Sequence, residues 1–164
     1  MSDGNFSCAL YFMLEQRILA LIARAKWLRK HQPDTYKAHP DFKLLQSVWR
    51  VMPESWQNPK HARYNLGNTL GTENRHWRRC KEGLPPRYRL FFRFSSSDRV
   101  CVYAWLNDEK TLRKAGSKTD VYATFKHLLS RGLVPQEFAE LLAKSKMLNP
   151  ELSAAFSLVG EGQQ

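Results

Sequence analysis

Hydrophobic positions along the chain change their spacing several times, and each change marks an element. Residues 7–13, "SCALYFM", are a short apolar and aromatic run that predicts a first strand. From Leu14 the spacing becomes three and four. Leu14, Ile18, Leu21, Ile22, Ala25 and Leu28 line one side, and Arg17, Arg24, Lys26 and Lys30 the other. That pattern predicts an amphipathic helix, ended by Pro33. A second helix is expected from Pro40–Asp41, because Pro and Asp both suit a first turn. Its stripe is Phe42, Leu45, Val48, Trp49 and Met52, and Pro53 is expected to stop it. "LGNTLGTENR" (66–75) is the clearest loop.

Strand spacing then takes over. "RHWRRCKEG" (75–83) leads through the turn "GLPP" into "RYRLFFRF" (87–94), and "SSSD" (95–98) turns into "RVCVYAWL" (99–106). Three short strands in succession predict an antiparallel meander. Residues 119–132 predict a helix with Thr119 or Asp120 as cap, Val121, Phe125, Leu128 and Leu129 inside, and Gly132 as terminator. Another helix is expected from Pro135. The fold class is therefore α+β: a small antiparallel sheet, two N-terminal helices packed on one face, and C-terminal helices. Residues 1–147 are expected as one domain, and residues 148–164 as a flexible tail. The other sheet face is expected to stay open.

That open face changes the picture once charge is considered. In "RYRLFFRF" one comb is Tyr88, Leu90, Phe92 and Phe94, and the other is Arg87, Arg89, Phe91 and Arg93. From Arg75 to Arg93 there are seven basic residues (75, 78, 79, 81, 87, 89 and 93) and one acid, Glu82. The strands that carry them are expected to pair, so the charges should converge on one surface in spite of their repulsion. The whole chain has 26 Lys and Arg against 15 Asp and Glu in 164 residues, a formal charge of +11. Such an excess favours polyanions, nucleic acid above all.

Other classes lose ground. No apolar run reaches the length of a membrane span, and no signal peptide is visible, so no membrane partner is expected. Cys8, Cys80 and Cys101 are odd in number and widely spaced, which suits a reducing cytoplasm better than a disulfide framework. His31, His39, His61, His76 and His127 lack ligand spacing, so neither a metal site nor a cofactor is expected.

Arginine forks match phosphate oxygens, and each contact releases condensed counterions. Trp77, Tyr88, Phe91, Tyr103 and Trp105 interleave with the charges, as bases to be stacked would require; the alternative is that these rings are core. Cleaving RNA without a metal needs a base for the 2′-hydroxyl, cations on the pentavalent phosphorane and an acid for the leaving 5′-oxygen. Arginine suits the middle task. Lys81, inside a cationic cluster, is a candidate for proton exchange. "NDEKTLRK" (107–114) adds Asp108, Glu109, Lys110 and Arg113, with capping and ion pairing as the alternative role of the two acids.

Residues 87–125, "RYRLFFRFSSSDRVCVYAWLNDEKTLRKAGSKTDVYATF", resemble the corresponding stretch of the YhaV toxins, a branch of the RelE-like toxins of bacterial toxin–antitoxin pairs. "WRRCKEG" (77–83) is similar to that family's preceding strand and "LGNTLG" (66–71) to its glycine-bearing loop, so the strong match spans roughly residues 63–131. The resemblance implies a RelE-like fold with an open basic face. It implies a ribosome-dependent RNA endonuclease, an mRNA interferase that arrests translation. A PrlF-type antitoxin with an AbrB/MazE-like swapped hairpin would restrain it, and the toxin–antitoxin complex would bind operator DNA. Carried over by position, Arg89 matches the strand arginine on the scissile phosphate, Arg79 and Lys81 the neighbouring basic pair, and Lys110 and Arg113 a further cation, with Asp108 beside them. Arg75, Arg78, Arg87, Arg93, Lys114, Lys118 and Tyr122 are expected to contact RNA. Two rival readings remain open at this point: a non-catalytic nucleic-acid-binding module, and a decayed toxin acting only in an operator-binding complex.

Overall fold

Burial of alternate residues on both sides of one sheet organises the chain. The computed structural model describes residues 6–160. Strand β1 (Ser7–Tyr11) runs directly into helix α1 (Phe12–His31), followed by α2 (Pro40–Gln57), β2 (Arg78–Cys80), β3 (Leu90–Ser95) and β4 (Val100–Leu106). Then come α3 (Val121–Ser130), α4 (Phe138–Ala143), β5 (Ser145–Met147) and α5 (Pro150–Gly160). The fold is α+β, as the spacing predicts.

The meander is present: β2 pairs antiparallel with β3, and β3 with β4. The first strand expected over 7–13 is β1, but its pairing and the short strand β5 were not visible in the sequence. The sheet order is β2-β3-β4-β1-β5, with β1 parallel to β4 and β5 antiparallel to β1. The sheet is thus mixed rather than wholly antiparallel, because β1 runs parallel to β4, a strand some ninety residues away.

On one face α1 and α2 bury the stripes their spacing predicts, including Leu14, Ile18, Leu45 and Met52 against Leu10, Leu90, Phe92 and Tyr103. Pro53 does not stop α2, which runs to Gln57. The last turn is held by packing and by Ser55, fully buried, whose Oγ donates to Met52 O at 2.8 Å and bonds Tyr103 Oη at 2.5 Å. The segment expected as a tail carries α5. Its Leu152 and Phe156 are buried, and Phe156 stacks on Trp49 at 4.5 Å between centroids. The end of that segment, 161–164, and the first five residues lie outside the described residues.

The opposite face is not open. Helix α3 and the 66–77 loop cover it, and a second core forms from Trp77, Phe91, Val102, Val121, Phe125 and Leu129. Phe125 lies face to face with Phe91 at 4.1 Å and with Trp105 at 5.7 Å, and edge-on to Trp77 at 5.0 Å. A register shift opposite Phe91/Phe92 lets neighbours Ala104 and Trp105 both serve this face. Trp77, Phe91 and Tyr103 are therefore core, and Tyr88 and Trp105 are half-buried. The three core rings pack the protein and are not free to stack on bases. Gly132, at φ +69°, ends α3 as expected, and Tyr11 Oη donates to Leu133 O just beyond it at 2.7 Å.

Among the described residues no helix is long and apolar enough to cross a membrane. The three cysteines are free and buried, and burial pushes the Cys80 and Cys101 thiols up to about 12 and Cys8 well upward. A raised thiol pKa keeps the unreactive protonated form at neutral pH. Alkylation is therefore expected to label none of the three in the folded protein and all three in denaturant. A rapidly labelled thiol in the native state would contradict this packing.

Candidate active site

Strand alternation sends Arg89, Phe91 and Arg93 to one side of β3, and the pairing of Arg79 with Phe91 places Arg79 on that side too. Because α3 covers this face, the arginines lie at its rim. Tyr122, in the first turn of α3, is the point on which they meet. The guanidinium carbons of Arg113, Arg79 and Arg89 lie 4.9, 5.5 and 6.0 Å from its ring centroid. Arg89 Nε also donates to Tyr122 Oη at 3.0 Å, and Arg89 Nη1 to Tyr88 O at 2.8 Å. The negative face of the ring offsets part of the repulsion among three like charges.

Arg89 is only 8% exposed, unlike the solvent-facing arginine that an open sheet would carry. Arg79 is half-buried, and its Nε has no protein acceptor among the described residues. The Nε atoms of Arg78 and Arg93 share that state, yet Arg78 donates through Nη1 to Asn65 Oδ1 and Arg93 through Nη1 to Gln136 O. Arg79 has no such second bond to a described residue.

Two buried polar side chains hold the walls of this cluster. Asn107, fully buried at the end of β4, accepts from Arg89 N at 2.8 Å and donates to Arg87 O and Thr111 O. Arg113 N donates to the same Arg87 carbonyl at 3.0 Å, so the start of β3 is tied to the 107–113 turn. Arg87 adopts φ +72°, a conformation uncommon outside glycine, at this junction. Asp120 caps α3 by accepting from Tyr122 N at 3.0 Å, and its other oxygen accepts from Lys114 N and Arg113 Nη1 at 2.6 and 2.9 Å. Burial alone would push the Asp120 carboxyl up. The bonds from Lys114, Arg113 and Tyr122 and the Arg113 charge outweigh it and hold the group below the usual carboxylate range.

A depressed folded pKa gives stabilisation that is complete above the unfolded pKa and lost as pH falls through the folded value. Asp120→Asn is therefore expected to lower the melting temperature at neutral pH and to narrow its gap from wild type in acid. A gap that widened in acid would contradict the assignment.

The remaining sequence-derived candidates are dispersed, and the basic stretch does not converge on one surface. Arg78 points to the other sheet face, over the Phe94 ring at 5.0 Å, because neighbours in a strand point opposite ways. Arg93 is clasped between Trp77 and Phe138, at 5.6 and 5.7 Å, a packing position. Arg75 bonds Asn68 on the loop. Lys81 is exposed and lines a pocket with Glu54, Arg63 and Tyr64. Asp108 closes the turn, accepting from Lys110 N at 2.9 Å and Thr111 Oγ1 at 3.0 Å, and the Lys110, Lys114 and Lys118 side chains are exposed. Among the described residues no group of three or more His, Cys, Asp or Glu is placed to hold a metal ion.

Asn107 and the anchoring part of Asp120 escaped sequence reasoning. An amide directly after an apolar strand, followed by the Asx-turn letters Asp108 to Thr111, is the signal that could have found the first.

Three guanidiniums on one ring, with a single carboxylate beside them, leave a net positive charge of the kind that suits an anionic group such as phosphate. A family model described as a toxin with endonuclease activity, of a toxin–antitoxin system, matches residues 9–146, which include every residue of this cluster. Ribonuclease toxin YhaV of Escherichia coli strain K12 is 38% identical over 129 residues, covering 77% of this chain and 83% of the relative. Toxin YhaV of Escherichia coli O157:H7 is similar to the same extent. No solved structure matches. This chain belongs to the YhaV family of toxins with endonuclease activity from toxin–antitoxin systems.

Proposed function

We propose that this protein is a ribosome-dependent RNA endonuclease of RelE-like type that cuts messenger RNA and so inhibits translation. The observation that carries the reading is the convergence of Arg79, Arg89 and Arg113 on Tyr122, with Arg79 Nε lacking an acceptor among the described residues. The RNA 2′-oxygen attacks the adjacent phosphorus and the bond to the 5′-oxygen breaks, leaving a 2′,3′-cyclic phosphate and a 5′-hydroxyl. Charge grows on the non-bridging oxygens in the transition state, and fixed guanidiniums stabilise it most there. Arg89 is held by Tyr122 and Tyr88, and Arg113 by Asp120, so two of the three cations need no reorganisation. Asp108 and Lys110, on the turn after β4, are the candidates for the two proton transfers; Lys81 lies beside Glu54 and Tyr64 on the α2 side of the sheet and is given none. The reaction as written needs no metal or cofactor.

Membership in a toxin–antitoxin family implies an antitoxin partner. For this chain we take that partner to be PrlF-type, with operator DNA bound through the complex and the cytoplasm as the site of action. A charge of +11 suits an acidic or apolar inhibitory segment.

The test is primer extension on a defined message incubated with purified protein, with and without ribosomes. Cuts confined to the ribosome-containing reaction are expected. Cuts on naked message would remove the ribosome from the account. Stalled translation with intact message would instead establish a binder that does not cleave.

A further inference from the structure

Resting on that reading, we infer that Asp120 is a positioning residue for RNA cleavage, acting through Arg113 rather than on the substrate. Capping alone does not explain a carboxylate here. One acceptor to Tyr122 N closes the first turn of α3, and Asn or Ser performs that task as well as Asp. The second oxygen reaches out of the helix to Arg113, seven residues earlier, and to the Lys114 backbone. Asp120 is 4% exposed, so its charge is present in spite of burial, and it is matched by a guanidinium that stays partly open to solvent.

The geometry gives that charge a task. Arg113 sits on a turn, not on the sheet, and shares the Tyr122 ring with two further cations, Arg79 and Arg89. Left alone, a long side chain on a turn would swing to solvent. The Asp120 carboxylate holds it over Tyr122 at 4.9 Å, on the same ring that Arg79 and Arg89 flank. The same side chain fixes the helix start that carries Tyr122. One residue thus sets both the ring and the third cation in a single frame, and nothing in the cap requires the second half of that arrangement.

The experiment is a double-mutant cycle of Asp120→Asn with Arg113→Ala, read as single-turnover cleavage of ribosome-bound message beside a melting curve. Asp120→Asn keeps the cap and removes the charge. It is expected to slow cleavage on the order of 10- to 100-fold, the scale that a misplaced catalytic group costs. The loss should fall on kcat and kcat/KM together. In the Arg113→Ala background the same change should add little. Wild-type cleavage by Asp120→Asn overturns the inference, and so does an undiminished Asp120→Asn effect when Arg113 is already absent. Asp120→Ser, which also caps α3, replaces Asp120→Asn if the amide does not fold. If wild type itself leaves the message intact, the nuclease reading falls and takes the inference with it. An active wild type beside an equally active variant defeats the inference alone.

Discussion

Arg89→Ala is expected to reduce cleavage of ribosome-bound message by ~100-fold or more, the usual cost of losing one preorganised transition-state donor. Its effect is not confined to chemistry. Arg89 is buried and bonded to Tyr122 Oη and Tyr88 O, so truncation also leaves two polar atoms without their partner. That loss is worth ~1–3 kcal/mol of stability. The two effects separate with Arg89→Lys, which restores a cation but not the fork that reaches tyrosine and phosphate together. Melting should recover in part in the lysine variant while cleavage stays low. Cleavage restored by lysine would mean that charge alone matters, and full activity in the alanine variant would remove Arg89 from the site.

Phe125→Ala should have the largest effect on stability, ~3–5 kcal/mol, as expected for deleting a fully buried phenylalanine. In a chain of this size that is a fall in melting temperature on the order of 10 °C. The ring contacts Phe91, Trp105 and Trp77 at once, so its loss opens a cavity between α3 and the sheet. Tyr122 lies three residues earlier on the same helix face and packs edge-on against the same Phe91 at 5.8 Å. Activity should therefore fall with stability, although Phe125 touches no substrate. Chemical denaturation checks the first part: a change below ~1 kcal/mol would show that something other than the aromatic stack holds α3 in place.

These expectations depend on features that the sequence showed unevenly. Local periodicity was legible. All six residues of the α1 stripe are buried, and Tyr88, Leu90, Phe92 and Phe94 do face the opposite side from Arg89, Phe91 and Arg93. Pairing between distant segments was not legible, because β1 and β5 contain too few residues to announce their partners. Helix α3 showed its amphipathic stripe but not which sheet face it would cover. That choice rests on Phe91, which the alternating pattern had placed among the arginines on an open surface. Once Phe91 is core, the comb becomes a rim, and only Arg89 and its neighbour Arg79 reach the centre of the site. Arg113 was visible in the sequence as a cation near the last strand of the meander, but the carboxylate that holds it was read only as a cap.

The most direct test of the tri-arginine site is Arg79→Ala. The Arg79 side chain makes no hydrogen bond among the described residues, and it leans on Tyr122 without holding any element in place. Its removal should leave the melting temperature within experimental error of wild type. Single-turnover cleavage of ribosome-bound message, measured by primer extension at equal protein concentration, is predicted to fall ~100-fold or more. A variant that folds and cleaves like wild type would contradict the account, because the cation with the least structural duty would then have no catalytic one either.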